Sequence, residues 1–230
     1  MKLLAIDTTE EGCSAALHVS GEVHSRFQRA PRQHTEMILP MMDELMAEAG
    51  LKPAQLDGLA FGRGPGAFTG IRIATGVIQG VALGADLPVV PVSSLLALAQ
   101  RAHREFAAEQ VLAAFDARMN EVYWAACRLG VDGLMAFDGE ERVCLPDAVP
   151  VPGEGHWLGV GSGWASYGDS LHALLADRLS GVQEDLLSHA HDVAQLGVAG
   201  LAAGRGVAAE LALPVYLRDQ VAWKKVGQQG

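Results

Sequence analysis

Basic residues are scarce. The 230-residue chain carries 17 Lys and Arg against 27 Asp and Glu, a net charge of −10. Such a chain does not hold nucleic acid by counterion release unless its cations cluster. Its short basic runs are Arg26-Phe-Gln-Arg29 with Arg32, and Lys224-Lys225, so a stand-alone tRNA or DNA binder is not expected. Cysteine is scarce too. Cys13, Cys127 and Cys144 are an odd number without C-x-x-C spacing, which argues against a disulfide framework or a zinc ribbon and for buried thiols in a reducing cytosol. The 8 histidines include no H-x-x-x-H or H-E-x-x-H. His189 and His191, two apart, would not share a helix face, so no metal site is expected. A G-x-S-x-G elbow is missing. The apolar stretch at residues 71–85 is broken by Thr75 and Gln79 and reads as too short for a bilayer. Met1-Lys-Leu-Leu-Ala-Ile meets Asp7 after four apolar residues, so no signal peptide is expected. The expectation is a soluble, cytoplasmic protein with no membrane contact.

What is present is a compact globular composition: 50% hydrophobic, 19% charged, 27 Gly and 10 Pro. A chain of this length buries roughly 70% of its unfolded surface and needs no staple. Residues 3–6, 13–19 and 22–28 read as strands. Ile38, Met41, Met42, Leu45 and Ala49 form a helical stripe that Gly50 ends, with Thr35 a plausible N-cap and Pro40 near the first turn. A strand at 56–62, a helix to about Ala85, a strand at 88–92 and a third helix capped by Ser93 or Ser94 follow. Beyond a glycine- and proline-rich stretch at 130–155, residues 156–160 read as a strand and lead into a helix to about Leu179. Asp192 reads as the cap of a last helix, and Pro214-Val-Tyr-Leu-Arg218 as a closing apolar segment. Strands alternating with helices make the fold α/β.

The opening pattern also returns. Val111-Leu-Ala-Ala-Phe115, then Asp116, a turn and Glu121-Val-Tyr-Trp-Ala-Ala126 match the first unit when the chain is slid by 109 positions, laying Asp7 on Asp116. Two copies of strand, Asp, turn and strand point to a duplicated α/β fold with a cleft between halves.

The most distinctive stretch is Gly62-Arg-Gly-Pro-Gly-Ala-Phe-Thr-Gly70, between a strand and a helix. Its glycines let the backbone turn sharply and approach a ligand, and the following helix would aim N–H groups at an anion. No Gly-Lys-Ser/Thr follows, so it is not a Walker loop. A tight structural turn and a phosphate or adenylate contact both stay open. Asp7-Thr8-Thr9 offers a carboxylate and hydroxyls at a strand end, where a magnesium nucleotide can be held. The candidate nucleotide contacts are Asp7, Thr8, Gly64, Gly66 and Thr69. In the second copy Arg118 stands where a phosphate hairpin would want glycine, which counts against phosphotransfer. The cluster Gly159-Val-Gly-Ser-Gly163 is a loop or an adenine wrap. Met37, Met41, Met42 and Met46 share one helix and cover more than its core stripe. Flexible thioethers suit contact surfaces. With the small-residue helix at 71–85 they give a candidate helix-on-helix interface: Met37, Met41, Met42, Leu45, Ile71, Arg72 and Thr75.

Taken together, Ala5-Ile-Asp-Thr-Thr9, His34-Thr-Glu36 with Leu39-Pro40, Gly62 to Arg72, Val92-Ser-Ser-Leu95, Asp116-Ala-Arg118 with Glu121-Val-Tyr123, and Pro214 to Arg218 resemble the TsaB (YeaZ) family of the bacterial tRNA threonylcarbamoyladenosine machinery. The resemblance runs from the first strand to the last. One departure is Ala67, where the family more often has Ser. The resemblance implies two ribonuclease-H-like subdomains of the actin/sugar-kinase/Hsp70 superfamily, at residues 1–108 and 109–230. It also implies that the chain is not the catalyst. The paralogue TsaD carries a metal-binding H-x-x-x-H after a Pro-Val strand, and alignment on Pro91-Val92 puts Ser94 and Leu98 there, neither of which replaces an imidazole. The implied role is a scaffold that pairs with TsaD through its two N-terminal helices, with the ATPase TsaE joining and tRNA held only indirectly. No cofactor of its own is implied, although ATP or ADP could sit at the junction with TsaD. A homodimer is expected when the partner is absent. The competing reading is an autonomous ATP-dependent phosphotransferase of the same superfamily. A metallopeptidase reading lacks any ligand pair.

Overall fold

A computed structural model describes residues 1–218. The first sheet is built from β1 (Lys2–Asp7), β2 (Gly12–Val19), β3 (Glu22–Arg29), β4 (Gly58–Gly62) and β5 (Val89–Val92), in the order β3-β2-β1-β4-β5. β1 and β2 form an antiparallel hairpin that opposes Asp7 to Ser14, whereas β4 runs parallel to β1. The second sheet repeats this plan with β6 (Gln110–Arg118), β7 (Glu121–Leu129), β8 (Met135–Phe137), β10 (Trp157–Val160) and β11 (Leu179–Gln183) in the order β11-β10-β6-β7-β8, while β9 (Arg142–Cys144) also pairs with β7. The duplication expected from the 109-residue offset is thus a repeated topology. The two mixed sheets and their helices form the two-subdomain, ribonuclease-H-like (actin-like) α/β fold.

Period-two alternation sets the layers. Leu4 and Ile6 of β1 face a core shared with Ile38, Met41, Met42 and Leu45 of α1 (His34–Glu48) and Ala74 and Ile78 of α2 (Phe68–Ala85). Leu3 and Ala5 face the other way, onto Val193, Ala194 and Leu196 of α5 (Ala190–Ala202). In the second sheet Val111, Ala113 and Phe115 pack on Leu95, Leu98 and Ala102 of α3 (Ser94–Phe106), while Leu112 and Ala114 pack on Trp164, Leu171 and Leu175 of α4 (Ser162–Leu175). Two helices therefore cross the chain midpoint in space. α3 precedes residue 109 yet covers the second sheet, and α5 follows it yet covers the first. They meet between the sheets, where Arg104 donates to both oxygens of buried Asp192 at 2.9 Å each.

Several element ends differ from the sequence reading. Gln33, not Thr35, precedes α1, with no side-chain cap, and Pro40 lies inside the helix. Gly50, at φ +63°, closes it: the N–H of Leu51 bonds Met46 and that of Gly50 bonds Ala47, the paired bonds of a Schellman turn. Ser93 caps α3 as expected. Asp192 does not cap α5, because Arg104 holds its carboxylate. His189 does so, its Nδ1 accepting from the His191 N–H at 2.9 Å. Burial, aided by Arg101 and Arg104, drives His189 down to about 3, so the ring is neutral and has one nitrogen able to accept. Residues 214–218 form no strand. They run as a strap, with Val215 N–H on the Arg63 carbonyl at 2.9 Å. Helix α2 starts at Phe68, earlier than residue 71. By length and composition alone its 18 residues, of mean hydropathy 1.3, pass for a short membrane span, and only 33% of them are buried. Cys13 and Cys127 are buried free thiols and Cys144 is half-buried.

Candidate functional site

The turn after β1 and the glycine block after β4 pack on each other where the two halves meet. Asp7 Oδ1 accepts from the Thr9 N–H at 2.8 Å and its hydroxyl at 2.7 Å. Asp7 Oδ2 and the Ser94 hydroxyl are buried without partners beside Gly62, where a Cβ would lie 2.6 Å from that Oδ2. Burial pushes the Asp7 carboxyl above its usual range, against the lowering pull of the Thr9 hydrogen bonds.

The glycine block closes over this turn. Thr8 donates its hydroxyl to the Gly70 carbonyl at 2.7 Å, and the Ala67 N–H bonds the Thr9 carbonyl at 2.7 Å. A Cβ on Gly66 or Gly70 would run into the carbonyl of Thr9 or Thr8. The glycines thus allow backbone to lie on backbone, the tight-turn alternative of the sequence reading. Of the five candidate nucleotide contacts, Asp7, Thr8 and Gly66 come together, but against one another. Gly64, at φ +97°, turns its carbonyl to the Ser94 N–H at 3.0 Å, and Thr69 faces solvent on α2. Asp7 and Thr8 are fully covered, so no phosphate reaches them in this arrangement.

The second hairpin, unlike the first, has its carboxylate fully engaged from within. Asp116 Oδ1 accepts from the Arg118 N–H at 2.7 Å and the Tyr167 hydroxyl at 3.1 Å, and Oδ2 takes the Arg118 guanidinium at 2.9 Å. Tyr167 reaches it from a kink in α4, where its φ is −135°. The N-terminus of α4, a natural anion seat, faces a carboxylate supplied by the first half. Glu10 accepts from the Ser162 hydroxyl at 3.0 Å and from the Ser188 N–H at 3.4 Å, and Ser162 in turn accepts from the Asp116 N–H at 3.2 Å. Burial, reinforced by Asp7 and Glu11, pushes Glu10 up to about 8, against its bonds to Ser162 and Ser188. Glu10 was not legible in the sequence, because its partners lie 152 and 178 residues away. A third tie is Glu141, which holds Arg63 at 2.5 Å and the Ser93 hydroxyl at 2.5 Å. Gly159 packs on the Trp164 ring, where a Cβ would lie 2.6 Å away, so this cluster serves packing rather than wrapping a base. A cavity of about 660 Å³ opens between α4 and the end of β11, lined by polar groups including Tyr167, Asp169, His172 and Glu184. Among the described residues, no three His, Cys, Asp or Glu side chains converge as a metal set.

The candidate interface needs a correction. Met41, Met42, Leu45, Ile71 and Thr75 are buried in the chain's own structure, and Met37 is half-buried. The methionine stripe coincides with the core stripe of α1, since both follow the same 3.6-residue period. Arg72 alone of the seven is exposed. The open surface is rotated away from that stripe. On α1 it shows Leu39 and Pro40. On α2 it shows Phe68, Leu83 at 78% exposure, and Gly76, Gly80 and Gly84, whose Cβ positions meet nothing within 4 Å.

Relatives with this arrangement are known. The family model described as TsaD, tRNA N6-adenosine threonylcarbamoyltransferase, matches residues 22–226. The tRNA threonylcarbamoyladenosine biosynthesis protein TsaB of Escherichia coli (strain K12) is 43% identical over 98% of both chains. The protein of that name from Haemophilus influenzae is 41% identical over 98% of this chain and 97% of its own. A solved structure of YeaZ from Pseudomonas aeruginosa superposes with a TM-score of 0.88 at 47% identity, covering 94% of this chain and 99% of that one. The chain belongs to the TsaB (YeaZ) family. Ser94 and Leu98 are the two positions that the resemblance sets against a metal-binding pair in TsaD. Ser94 opens α3 with its hydroxyl beside Asp7. Leu98 is fully buried in the second core and offers no lone pair.

Proposed function

We propose that this chain is the non-catalytic subunit of the bacterial assembly that transfers a threonylcarbamoyl group to adenosine 37 of tRNAs reading codons that start with A. In this reading it pairs with the catalytic paralogue TsaD, and the ATPase TsaE joins. One contrast carries the reading: the turn that would grip a nucleotide is covered by the chain's own glycine block and Leu98 stands where a metal ligand would be needed, whereas the apolar face of α2 is left open. Membership of the TsaB family and the names of its relatives support the pathway. The net charge of −10 fits a subunit that leaves the grip on tRNA to its partner. ATP or ADP is then met at the junction with TsaD, on backbone donors of the glycine block, and a second copy of the chain takes the α2 face when TsaD is absent.

The phosphotransferase alternative draws on Asp7 and Asp116, equivalent carboxylates on either side of the cleft. Asp7 is covered and bonded by Thr9, and Asp116 is engaged by Arg118 and Tyr167. An omission assay tests the choice. TsaD, TsaE, threonylcarbamoyl-adenylate synthase, ATP, threonine, bicarbonate and cognate tRNA are combined with and without this chain, and modified nucleoside is counted. Modification only in its presence is expected. Equal modification in both tubes would refute the subunit role.

A further inference from the structure

We propose that the partner-binding surface does not end on α2 but continues across the C-terminal strap onto the β6–β7 hairpin of the second half, where Arg118 and Met119 form its outer contact with TsaD. The inference rests on the pairing reading above and adds that both halves of the chain touch the partner.

The strap carries the continuity. Gln79 of α2 donates to the Ala212 carbonyl at 3.1 Å, and the Val215 N–H reaches Arg63 in the glycine block. Tyr216 then packs on Phe68, with ring centroids 5.7 Å apart, and its hydroxyl takes the Arg72 Nε–H at 3.1 Å. The Arg72 guanidinium lies 3.9 Å over the Phe68 ring. This stack stands ready-made at the end of the open α2 face, with Phe68 57% and Tyr216 40% exposed. Tyrosine and arginine in such a setting are the side chains that dominate interface energetics.

Two residues further on, the strap fastens the hairpin. Arg218 donates to the carbonyls of Ala117 at 3.0 Å and Arg118 at 3.4 Å and pairs with Glu121, while its other nitrogen lies 3.7 Å from the Met119 sulfur. Arg118, Met119 and Asn120 take φ of 62°, 57° and 61° in succession, a left-handed run that suits Asn but that Arg and Met adopt uncommonly. A purely connecting turn would use glycine there. Here the anchors on Asp116 and Arg218 instead hold outward an Arg side chain 85% exposed and a Met 73% exposed. Both residue types are enriched at protein interfaces. The partner's matching face is therefore apolar opposite α2 and carries carboxylates opposite Arg72 and Arg118. A nucleic acid does not fit the tip, since Asp116 already pairs with the Arg118 guanidinium and Met119 offers a phosphate nothing.

Calorimetric titration with purified TsaD tests this. The double substitution Arg118→Ala with Met119→Ser, and separately Tyr216→Ala, are each expected to weaken binding about tenfold, the scale of an interface hot spot, with the melting temperature of the chain unchanged. Gly80→Leu, which blocks α2 alone, serves as the control for the pairing itself. If Gly80→Leu abolishes binding while the hairpin and Tyr216 variants bind like wild type, the extension is overturned and the pairing stands. If the wild-type chain does not bind TsaD, the pairing reading falls, and the extension with it.

Discussion

Glu10 shows how one carboxyl can tie two halves together and make the tie depend on pH. Its carboxyl titrates near 8 in the folded chain, against 4.5 for the free group. Between those values the folded state holds a proton that the unfolded state has released, so stability falls as pH rises from about 5 to about 8 and then levels off. The neutral acid keeps its bonds to Ser162 and Ser188. The anion would sit beside Asp7 and Glu11 in a poorly solvated cleft. Burial acts oppositely on His189, lowered to about 3, and His191, lowered to about 4. These must take up protons to unfold in acid, so their share of stability is lost as pH falls below the ordinary histidine range. Glu10→Gln separates the two arms. Denaturant melts should show the stability of the variant relative to wild type rising steadily between pH 5 and pH 8, with the acid arm unchanged. A difference that stays flat across that window would mean that Glu10 ionises normally in the folded chain.

At the scale of the element, α2 carries a conflict between stability and use. Gly76, Gly80 and Gly84 sit inside a helix and face open space. Each costs helix stability of about 0.5 to 1 kcal/mol relative to alanine. Gly80→Ala should therefore raise stability by that amount in a denaturant titration and leave room for a closely approaching helix, whereas Gly80→Leu should keep the fold and lose the partner. No gain from Gly80→Ala would mean that the free chain already covers this face. The order of strands and helices through β7 was legible from apolar runs, the 3.6-residue stripe of α1 and the Ser93 cap, whereas β11 (Leu179–Gln183) was not read. The direction of α1 was not, because flexible methionines chosen for a core and for a contact surface follow the same spacing. Asp192 looked like a cap by residue type, but Arg104, 88 positions away, claims its carboxylate. The C-terminal segment read only as a closing apolar run, and its place on the glycine block could not be seen from local pattern.

At the scale of the molecule, duplication created two equivalent hairpins facing one cleft, and the sequence has filled each from its own side. The glycine block lies on Thr8 and Thr9, Arg118 and Tyr167 engage Asp116, and Glu10 occupies the N-terminal end of α4. A nucleotide entering would have to displace all three, breaking ties that also join the halves through Ser162 and Ser188. The helix exchange adds to the resistance, since separating the halves strains the contact of α3 with α5, where Arg104 holds the buried Asp192 carboxylate. The chain alone is thus expected to give no binding heat with magnesium-ATP at millimolar concentration, where even a dissociation constant of about 1 mM, worth about 4 kcal/mol, would register. Adding TsaD should restore a signal if the nucleotide sits at the junction. Heat from the chain alone, abolished by Asp7→Asn, would place the nucleotide in the cleft and favour the phosphotransferase. Heat that survives Asp7→Asn but disappears with Asp169→Asn would assign it to the cavity beside α4, whose lining is polar and open to solvent.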